Sequence, residues 1–498
     1  MDICREIRRL VNYGIDKKLI NKEDEVYAIN SILEVLKLDE YSDVELEKEE
    51  LSHPQPILDN MLDFAYQAGL LEENTVTYRD LLDTKIMGCL TARPSEVIRN
   101  FHEDYEISPS LATERYYAAA IHSNYIRKDR IDKNLSWKAA TEYGELDITI
   151  NLSKPEKDPK AIAAARNLKS SSYPQCLLCK ENEGYAGRVN HPARQNLRLI
   201  PVELGKEQWY LQYSPYVYYN EHCIVFKAQH EPMKITQATF DRLLAFVQKF
   251  PHYFLGSNAD LPIVGGSILS HDHFQGGSYQ FAMEVAPIRK QVVIKGFEDI
   301  EAGIVKWPMS VIRLRSNDIM RLSELSNHIL EVWKGYSDES VEVISHSNDE
   351  PHNTITPIAR YKNNKYEMDL VLRNNRTSLE HPLGIFHPHS DLHHIKKENI
   401  GLIEVMGLAV LPARLIEELN LIRDCLEGQK DIHQYEELQQ HIPWYEYLIE
   451  KYAGTHEDFE NVLKLEVGSI FERILSDAGV FKQNDIGMRA FEAFINRI

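Results

Sequence analysis

The sequence lacks the features of a membrane-spanning or secreted protein. Its longest apolar stretches are short, and residues 401–412 contain Glu404, whereas a helix that spans a bilayer needs roughly 20 apolar residues. The charged N-terminus, residues 1–9, has no apolar core of the kind that a signal peptide needs. We therefore expect a cytoplasmic protein.

Cysteines are few, and acidic residues outnumber basic ones. The 498 residues include six cysteines, 56 lysines and arginines and 76 acidic residues, which gives a net charge of −20. In a reducing compartment the cysteines are expected to be thiols or metal ligands rather than disulfides. The acidic balance argues against a nucleic-acid partner, because a phosphate backbone attracts basic surfaces. It leaves room for a local basic pocket that binds a phosphorylated small molecule.

The apolar pattern divides the chain into a helical N-terminal region and a mixed remainder. Before Tyr143, apolar residues recur at intervals of three and four, as in amphipathic helices. Residues 151–175, rich in lysine, proline and serine, indicate a domain boundary or a long surface connection. After about residue 175, β-branched and aromatic runs typical of strands alternate with helical stripes. We predict an α+β fold. The predicted strands include 209–213, 222–226, 261–269, 311–314 and 367–372, and the later predicted helices are 236–250, 402–421 and 458–475.

The most informative segment is residues 270–277, Ser-His-Asp-His-Phe-Gln-Gly-Gly. In an extended chain His271, His273 and Gln275 project from one face, because side chains alternate along a strand. The two glycines permit a tight bend or a close approach of the backbone to a ligand. Taken alone, the pattern fits a purely structural role, as a structural metal site or as hydrogen-bonded core histidines, as well as it fits a catalytic one. The Asp-His that would complete a binuclear metallohydrolase motif is missing.

Cys176 and Cys179 form a C-x-x-C pair, which in a cytosolic chain indicates half of a zinc site or a redox pair. Residues 170–175 are polar and turn-like, unlike the strand that precedes a thioredoxin-type pair, and this favours metal. A tetrahedral site needs two further ligands, and we predict that His230 and His271 supply them.

A metal bound to His271 would also fix the position of His273, two residues further on. A rigidly held neutral imidazole is a good nucleophile toward phosphorus. Gln275 could then donate its amide to a phosphoryl oxygen on which negative charge develops.

Three motifs together resemble the histidine-triad superfamily and, within it, the galactose-1-phosphate uridylyltransferase family. They are C-L-L-C at 176–179, H-C-I-V-F-K-A-Q-H at 222–230 and G-G-S-I-L-S-H-D-H-F-Q-G-G at 265–277. The resemblance covers most of residues 173–412. Asp272 replaces the proline of the better-known branch, and this, with the helical N-terminal region and stretches 193–201 and 352–360, resembles the second type, from Gram-positive bacteria.

The resemblance implies a role for each motif residue. The implied ligands of a structural Zn²⁺ are Cys176, Cys179, His230 and His271. His273 is implied as the nucleophile and Gln275 as the donor to its phosphate. The implied substrate-binding residues are Ser267, Ser270, Gly276, Asn196 and Arg198.

The implied fold has two histidine-triad-like halves built on antiparallel sheet and a helical N-terminal region. We predict the helical region at 1–150, a first half with the metal site and the nucleophile at 151–300, and a second half with C-terminal helices at 301–498. A second H-x-H, His387-Pro388-His389, hints at duplication and resembles part of a second metal site whose full ligand set the sequence does not reveal.

The implied activity is transfer of UMP from UDP-glucose to galactose 1-phosphate, by a ping-pong mechanism through a uridylyl-histidine. UDP-glucose and galactose 1-phosphate are the expected partners, and a homodimer is the expected assembly. Two alternatives stay open: a dinucleoside polyphosphate phosphorylase or hydrolase of the same superfamily, and a zinc-stabilised binding protein without activity.

Four further histidines either line a phosphate pocket or only cap and pack: His352, His381, His393 and His394.

Overall fold

A computed structural model describes residues 2–152, 172–454 and 458–498. The predicted boundary segment at 151–175 therefore lies largely outside the described residues. The chain forms two compact units. The described part of the first comprises 2–133, 172–231 and 271–273, and that of the second comprises 134–152, 232–270, 274–454 and 458–498. The three-part division predicted from the sequence has other bounds and stays a prediction.

The first unit begins with helices that share one apolar core. In α1 (Ile3–Asp16), Ile7, Leu10 and Val11 follow helical spacing and are fully buried, and the Asp2 carboxylate caps the first turn. The predicted helical character of the N-terminal region is confirmed as far as Ile131, but Leu135–Thr141, within the stretch predicted as helical, forms a strand. The further helices of the region are α2 (Glu25–Leu36), α3 (Gln55–Gln67), α4 (Val76–Gly88), α5 (Pro94–Ile107), α6 (Pro109–His122) and α7 (Lys128–Ile131).

Three antiparallel strands follow in the same unit: β3 (Ile200–Leu204), β4 (Glu207–Tyr213) and β5 (Cys223–Lys227). They confirm the predicted strands at 209–213 and 222–226. Tyr213 connects the strands to α6, because its hydroxyl donates to the Thr113 carbonyl at 2.8 Å. The chain leaving β5 leads directly to His230.

The second unit is built on an antiparallel sheet. Its strands lie in the order β7 (His273–Gly277, whose first residue belongs to the first unit), β6 (Phe254–Gly256), β13 (Asn353–Lys362), β14 (Lys365–Asn374), β10 (Val311–Ser316), β9 (Glu301–Val305) and β8 (Ile288–Val292). Helices α8 (Gln237–Lys249) and α10 (Ile319–Lys334) pack against this sheet. The predicted strands at 311–314 and 367–372 and the predicted helix at 236–250 are confirmed. Strands β11 (His346–Ser347) and β12 (Glu350–Pro351) form a separate small hairpin.

A buried ion cluster lies within this sheet. Asp369 is fully buried, and its carboxylate accepts two hydrogen bonds from Arg313, at 2.7 and 2.8 Å, and one from Arg360 at 2.7 Å. Glu367 also pairs with Arg360. Burial alone would raise the pKa of Asp369, but the two guanidinium groups lower it to about 2.

The single helix predicted at 402–421 is wrong in its middle. Helix α11 (Leu402–Val405) ends before Gly407, whose φ of +107° is unsuited to a helix. Strand β15 (Leu408–Leu411) then pairs in parallel with β2 (Gly144–Ile150), which pairs with β1 (Leu135–Thr141). Pro412 separates β15 from α12 (Leu415–Leu426).

The remaining helices are α9 (Ala282–Val285), α13 (Ile442–Lys451), α14 (Phe459–Ala478) and α15 (Asp485–Ile495). Helix α14 confirms the prediction at 458–475. Within the described parts of the chain, no helix has the length and apolar character needed to cross a bilayer.

The strand predicted at 261–269 is also wrong, because this segment forms irregular turns. Ile263 has a φ of +73°. A side chain at Gly265 would approach the Ala259 carbonyl oxygen to 2.6 Å, so the backbone here packs more closely than a strand with side chains allows. The extended structure begins instead at His273, in β7. The fold class as predicted, α+β with antiparallel sheet, is confirmed.

Candidate active site

Four side chains of the first unit converge as the sequence predicted. The Cys176 and Cys179 sulfurs are 3.5 Å apart, Cys176 Sγ is 3.3 Å from His271 Nδ1, and Cys179 Sγ is 3.2 Å from His230 Nδ1. All four ligand atoms lie within 4.8 Å of one another. A tetrahedral zinc ion, with bonds of about 2.3 Å to sulfur and about 2.0–2.1 Å to nitrogen, separates its ligand atoms by about 3.3–3.8 Å. This cluster could therefore hold a metal ion.

Local backbone contacts orient His271 for this role. Its Nε2 donates to the Lys227 carbonyl at 2.8 Å, which leaves Nδ1 with the lone pair that a metal needs. The neighbouring backbone is held on both sides, since Lys227 N donates to the Asp272 carbonyl and Asp272 N donates to the Glu231 carbonyl. Burial lowers the pKa of His271 and favours its neutral form.

His273 begins β7 and is 6% exposed. Its Nδ1 lies 2.8 Å from the His271 carbonyl oxygen. A carbonyl can only accept, so Nδ1 carries the proton and Nε2 carries the lone pair. Burial lowers the pKa of His273 to about 4, against the opposing effect of this hydrogen bond. The arrangement holds a neutral imidazole in one tautomer near pH 7.

Gln275 is half-buried two residues along β7, where it pairs with Gly256. Gly276 pairs with Leu255 and is buried. Ser267 and Ser270 are exposed within the irregular segment 257–270. Contact of these residues with substrate stays a prediction.

Asn196 and Arg198 lie in the first unit and are engaged by backbone groups. The Asn196 amide donates to the Ser123 carbonyl at 2.8 Å. The Arg198 guanidinium donates to four carbonyls, including those of Ala92 and Gln195. These bonds connect loop 193–199 to Ser123 and to the segment between α4 and α5, and a contact of either side chain with substrate stays a prediction.

The second H-x-H lies in the second unit. His387 is within hydrogen-bond distance of the Pro388 carbonyl and of Asn399 Oδ1, while His389 Nε2 donates to the Ile385 carbonyl. The His381 and His389 rings stack at 4.1 Å. Among the described residues, the Cys176 cluster is the only set of three or more such ligands found close enough together to hold a metal.

The other histidines left open by the sequence have identified contacts. His352 Nδ1 is 2.8 Å from Asn375 Oδ1, and His393 Nε2 donates to the Pro388 carbonyl. His394 Nδ1 is 2.9 Å from His441 Nδ1 in the protein interior. These contacts are compatible with packing roles.

Asn182, the third residue after Cys179, is a site residue that was not predicted from the sequence. Its side-chain amide donates to the carbonyls of both Cys176 and Cys179. The signal available in the sequence was the short spacing C-x-x-C-x-x-N, which places an amide next to the metal-binding turn.

Fold and site together define a class: an α+β protein with a two-thiol, two-imidazole cluster beside an oriented histidine, the combination that the motifs associate with histidine-triad nucleotidyl transfer. Models of the N-terminal and C-terminal domains of galactose-1-phosphate uridyl transferase match residues 18–232 and 246–437. The chain belongs to the galactose-1-phosphate uridylyltransferase family.

Full-length relatives support this assignment. Proteins named galactose-1-phosphate uridylyltransferase from Clostridium acetobutylicum and Halalkalibacterium halodurans are 57% and 56% identical, and each alignment covers at least 99% of both chains. The Bacillus subtilis protein of that name is 51% identical over 100% of this chain and 98% of its own. Among solved structures, yeast Ap4A phosphorylase Apa2 aligns with 69% of this chain and 93% of its own, at 10% identity and a TM-score of 0.34, a likeness too low to support a conclusion.

Proposed function

We propose that the chain transfers UMP from UDP-glucose to galactose 1-phosphate, releasing glucose 1-phosphate and forming UDP-galactose. Relatives that share more than half of its residues over the full length carry the name of this activity. They support a nucleotidyltransferase of galactose metabolism. They favour it over the dinucleoside polyphosphate enzymes and over a binding protein without chemistry.

The orientation of His273 is the observation that carries the mechanism. Its Nδ1–H donates to the His271 carbonyl, so Nε2 can attack phosphorus with its lone pair without first losing a proton. Burial keeps the ring neutral near pH 7. In our proposal Nε2 attacks the α-phosphorus of UDP-glucose, a P–N bond forms, and the P–O bond to glucose 1-phosphate breaks.

The second half-reaction reverses these roles. A phosphate oxygen of galactose 1-phosphate attacks the uridylyl phosphorus, the P–N bond breaks, and the imidazole returns to its neutral tautomer. The two displacements give ping-pong kinetics. Gln275, on the same strand, is proposed to donate its amide to a phosphoryl oxygen as charge develops there. Ser267, Ser270 and Gly276 are proposed to contact the substrate.

We propose that the cluster of Cys176, Cys179, His230 and His271 binds a structural Zn²⁺. Two thiolates and two imidazoles are a ligand set typical of closed zinc sites. Burial raises the pKa of Cys179 to about 11, so a bound cation would be needed to hold it as a thiolate. The four residues would hold the ion away from the bond-making steps, and His271, two residues before His273, would be fixed in place by it.

The proposal is tested by incubating the protein with UDP-glucose labelled in its UMP moiety. We expect acid-labile, base-stable label on His273, because protonation of the phosphoramidate ring restores a good leaving group. Label from dinucleoside polyphosphates but not from UDP-glucose would contradict the proposed substrate. Absence of nucleotide turnover in metal-replete protein would favour a binding protein. The predicted homodimer is tested separately by light scattering.

A further inference from the structure

We infer that Asn182 and His191 form a positioning pair that holds the turn between Cys176 and Cys179 in the geometry that binds the metal. Neither residue is a ligand of the cluster. The inference rests on the metal site proposed above and adds to it the part of the chain that fixes the separation of the two thiols.

Asn182 contacts both thiol-bearing residues at once. It is 1% exposed, and its Nδ2 donates to the Cys176 carbonyl and to the Cys179 carbonyl, each at 2.8 Å. In each cysteine the carbonyl carbon is bonded to the Cα from which the thiol side chain extends. Binding both carbonyls through one rigid amide therefore restricts the directions of both Cα–Cβ bonds, and the two sulfurs lie 3.5 Å apart.

The opposite end of the Asn182 amide is held by His191. Because Nδ2 donates to two carbonyls, the atom that faces His191 is Oδ1, which lies 2.7 Å from His191 Nε2. Oδ1 can only accept, so His191 Nε2 carries a proton. Burial, aided by Arg188 and Arg194, lowers the pKa of His191 to about 4, so near pH 7 the ring is neutral with its proton on Nε2.

His191 is itself fixed by a closed loop of the first unit. Its backbone exchanges two hydrogen bonds of 2.8 Å with Arg188, and the Tyr185 ring packs edge-on against the imidazole at 5.4 Å. The loop ends are joined by hydrogen bonds from Gly184 N to the Arg194 carbonyl and from Arg194 N to the Tyr185 carbonyl. The orientation of the Asn182 amide is therefore set by loop residues 184–194, none of which is a proposed metal ligand.

Measurements on variants of Asn182 and His191 can distinguish a positioning role of these side chains from simple packing. A packing role predicts that loss of either side chain lowers thermal stability and leaves the zinc dissociation constant unchanged. A positioning role predicts weaker zinc binding as well, because the ligands must then be ordered when the metal binds. Groups that orient metal ligands typically contribute about 10- to 100-fold to affinity.

The test uses the full-length protein loaded with one equivalent of Zn²⁺. The dissociation constant is measured by competition with a chromophoric chelator, and the thermal midpoint is measured in parallel. We expect Asn182→Ala to weaken zinc binding by about 10- to 100-fold. His191→Phe keeps a ring but no donor and should weaken it about 10-fold. His191→Gln restores a donor and should bind zinc within about 3-fold of wild type.

His222→Gln is the matched control. His222 is buried in the same unit and its Nδ1 donates to the Tyr216 carbonyl at 3.0 Å, away from the turn. The His222→Gln substitution should lower the thermal midpoint without changing the affinity for zinc. If Asn182→Ala does not fold, the comparison of His191→Phe with His191→Gln decides.

Two results would overturn the inference in distinguishable ways. Wild-type protein that binds no zinc would remove the proposed metal site and the inference with it. Wild-type protein that binds zinc, with His191→Phe and Asn182→Ala binding it equally tightly, would leave the metal site intact and overturn the positioning role alone.

Discussion

The backbone carbonyl of His271 accepts a hydrogen bond of 2.8 Å from Nδ1 of His273. The side chain of the same His271 belongs to the thiol–imidazole cluster, with its Nδ1 3.3 Å from Cys176 Sγ. One residue therefore connects the proposed metal site, through its ring, with the proposed nucleophile, through its carbonyl. Fixing His271 at the cluster also fixes the acceptor that selects the His273 tautomer.

Loss of a cluster ligand should therefore affect both metal content and chemistry. We expect Cys176→Ser to weaken zinc binding by at least about 100-fold, because a hydroxyl is a poor substitute for a thiolate ligand. The uridylylation rate and the thermal midpoint should fall with it. Zinc content by elemental analysis provides the check, with Cys425→Ser, a buried cysteine outside the cluster, as control. A Cys176→Ser protein that retains one tightly bound zinc would contradict the ligand assignment.

Gln275→Ala should lower kcat by roughly 10- to 1,000-fold, since it removes one donor to charge that develops in the transition state. Steady-state kinetics with UDP-glucose and galactose 1-phosphate measure the effect. Gln280→Ala, at an exposed position past β7, is the control and should retain wild-type kcat. Equal kcat values for Gln275→Ala and the wild type would rule out the proposed role.

Asp369→Asn should destabilise the second unit by about 3–5 kcal/mol, because it removes one of the two buried carboxylates, Asp369 and Glu367, that balance the guanidinium groups of Arg313 and Arg360. The free energy of unfolding in urea measures this change. Asp424→Asn is the control, because Asp424 pairs with Arg423 at the protein surface, and its stability should match that of the wild type. Similar stability of both variants would contradict the prediction.

The buried pair of His394 and His441 predicts a pH dependence of stability. Burial, with smaller effects of His441 and Arg414, lowers the pKa of His394 to about 3. In the unfolded chain the pKa of a histidine is about 6.5. The stability that the depressed pKa of His394 contributes is therefore fully present above about pH 6.5 and is lost as the pH falls toward 3. From pH 7 to pH 5 the wild type should lose about 2 kcal/mol through this group. His394→Gln should show a correspondingly shallower loss in urea unfolding, and identical pH profiles would refute the assignment.

The cysteine–histidine cluster could be predicted because ligand chemistry is local. Two cysteines three residues apart in a chain with few cysteines leave few interpretations, and His230 and His271 each follow or precede a strand that brings them to the pair. The role of His191 could not be read in the same way. Its contribution depends on a loop conformation, and a single imidazole in a polar stretch carries no periodic signal.

The errors in the secondary-structure prediction also arise where tertiary contacts decide the conformation. Apolar residues 261–269 look like a strand, yet Gly265 and Gly266 allow a close backbone approach that outweighs their neighbours' strand preference. The apolar stretch beginning at Leu402 looks like one helix, yet Gly407 ends it and β15 pairs in parallel with β2, about 260 residues earlier in the chain. Such distant pairing is decided by the tertiary fold, and local periodicity does not report it.

Covalent catalysis by His273 is the central step of the proposed mechanism, and isotope exchange tests it directly. Wild-type protein should exchange label between UDP-glucose and glucose 1-phosphate without galactose 1-phosphate, because the first half-reaction is reversible through the uridylyl-histidine. His273→Ala, with wild-type zinc content and thermal midpoint, should show no exchange above background. Measurable exchange by this zinc-replete variant would contradict the assignment of His273 as the nucleophile.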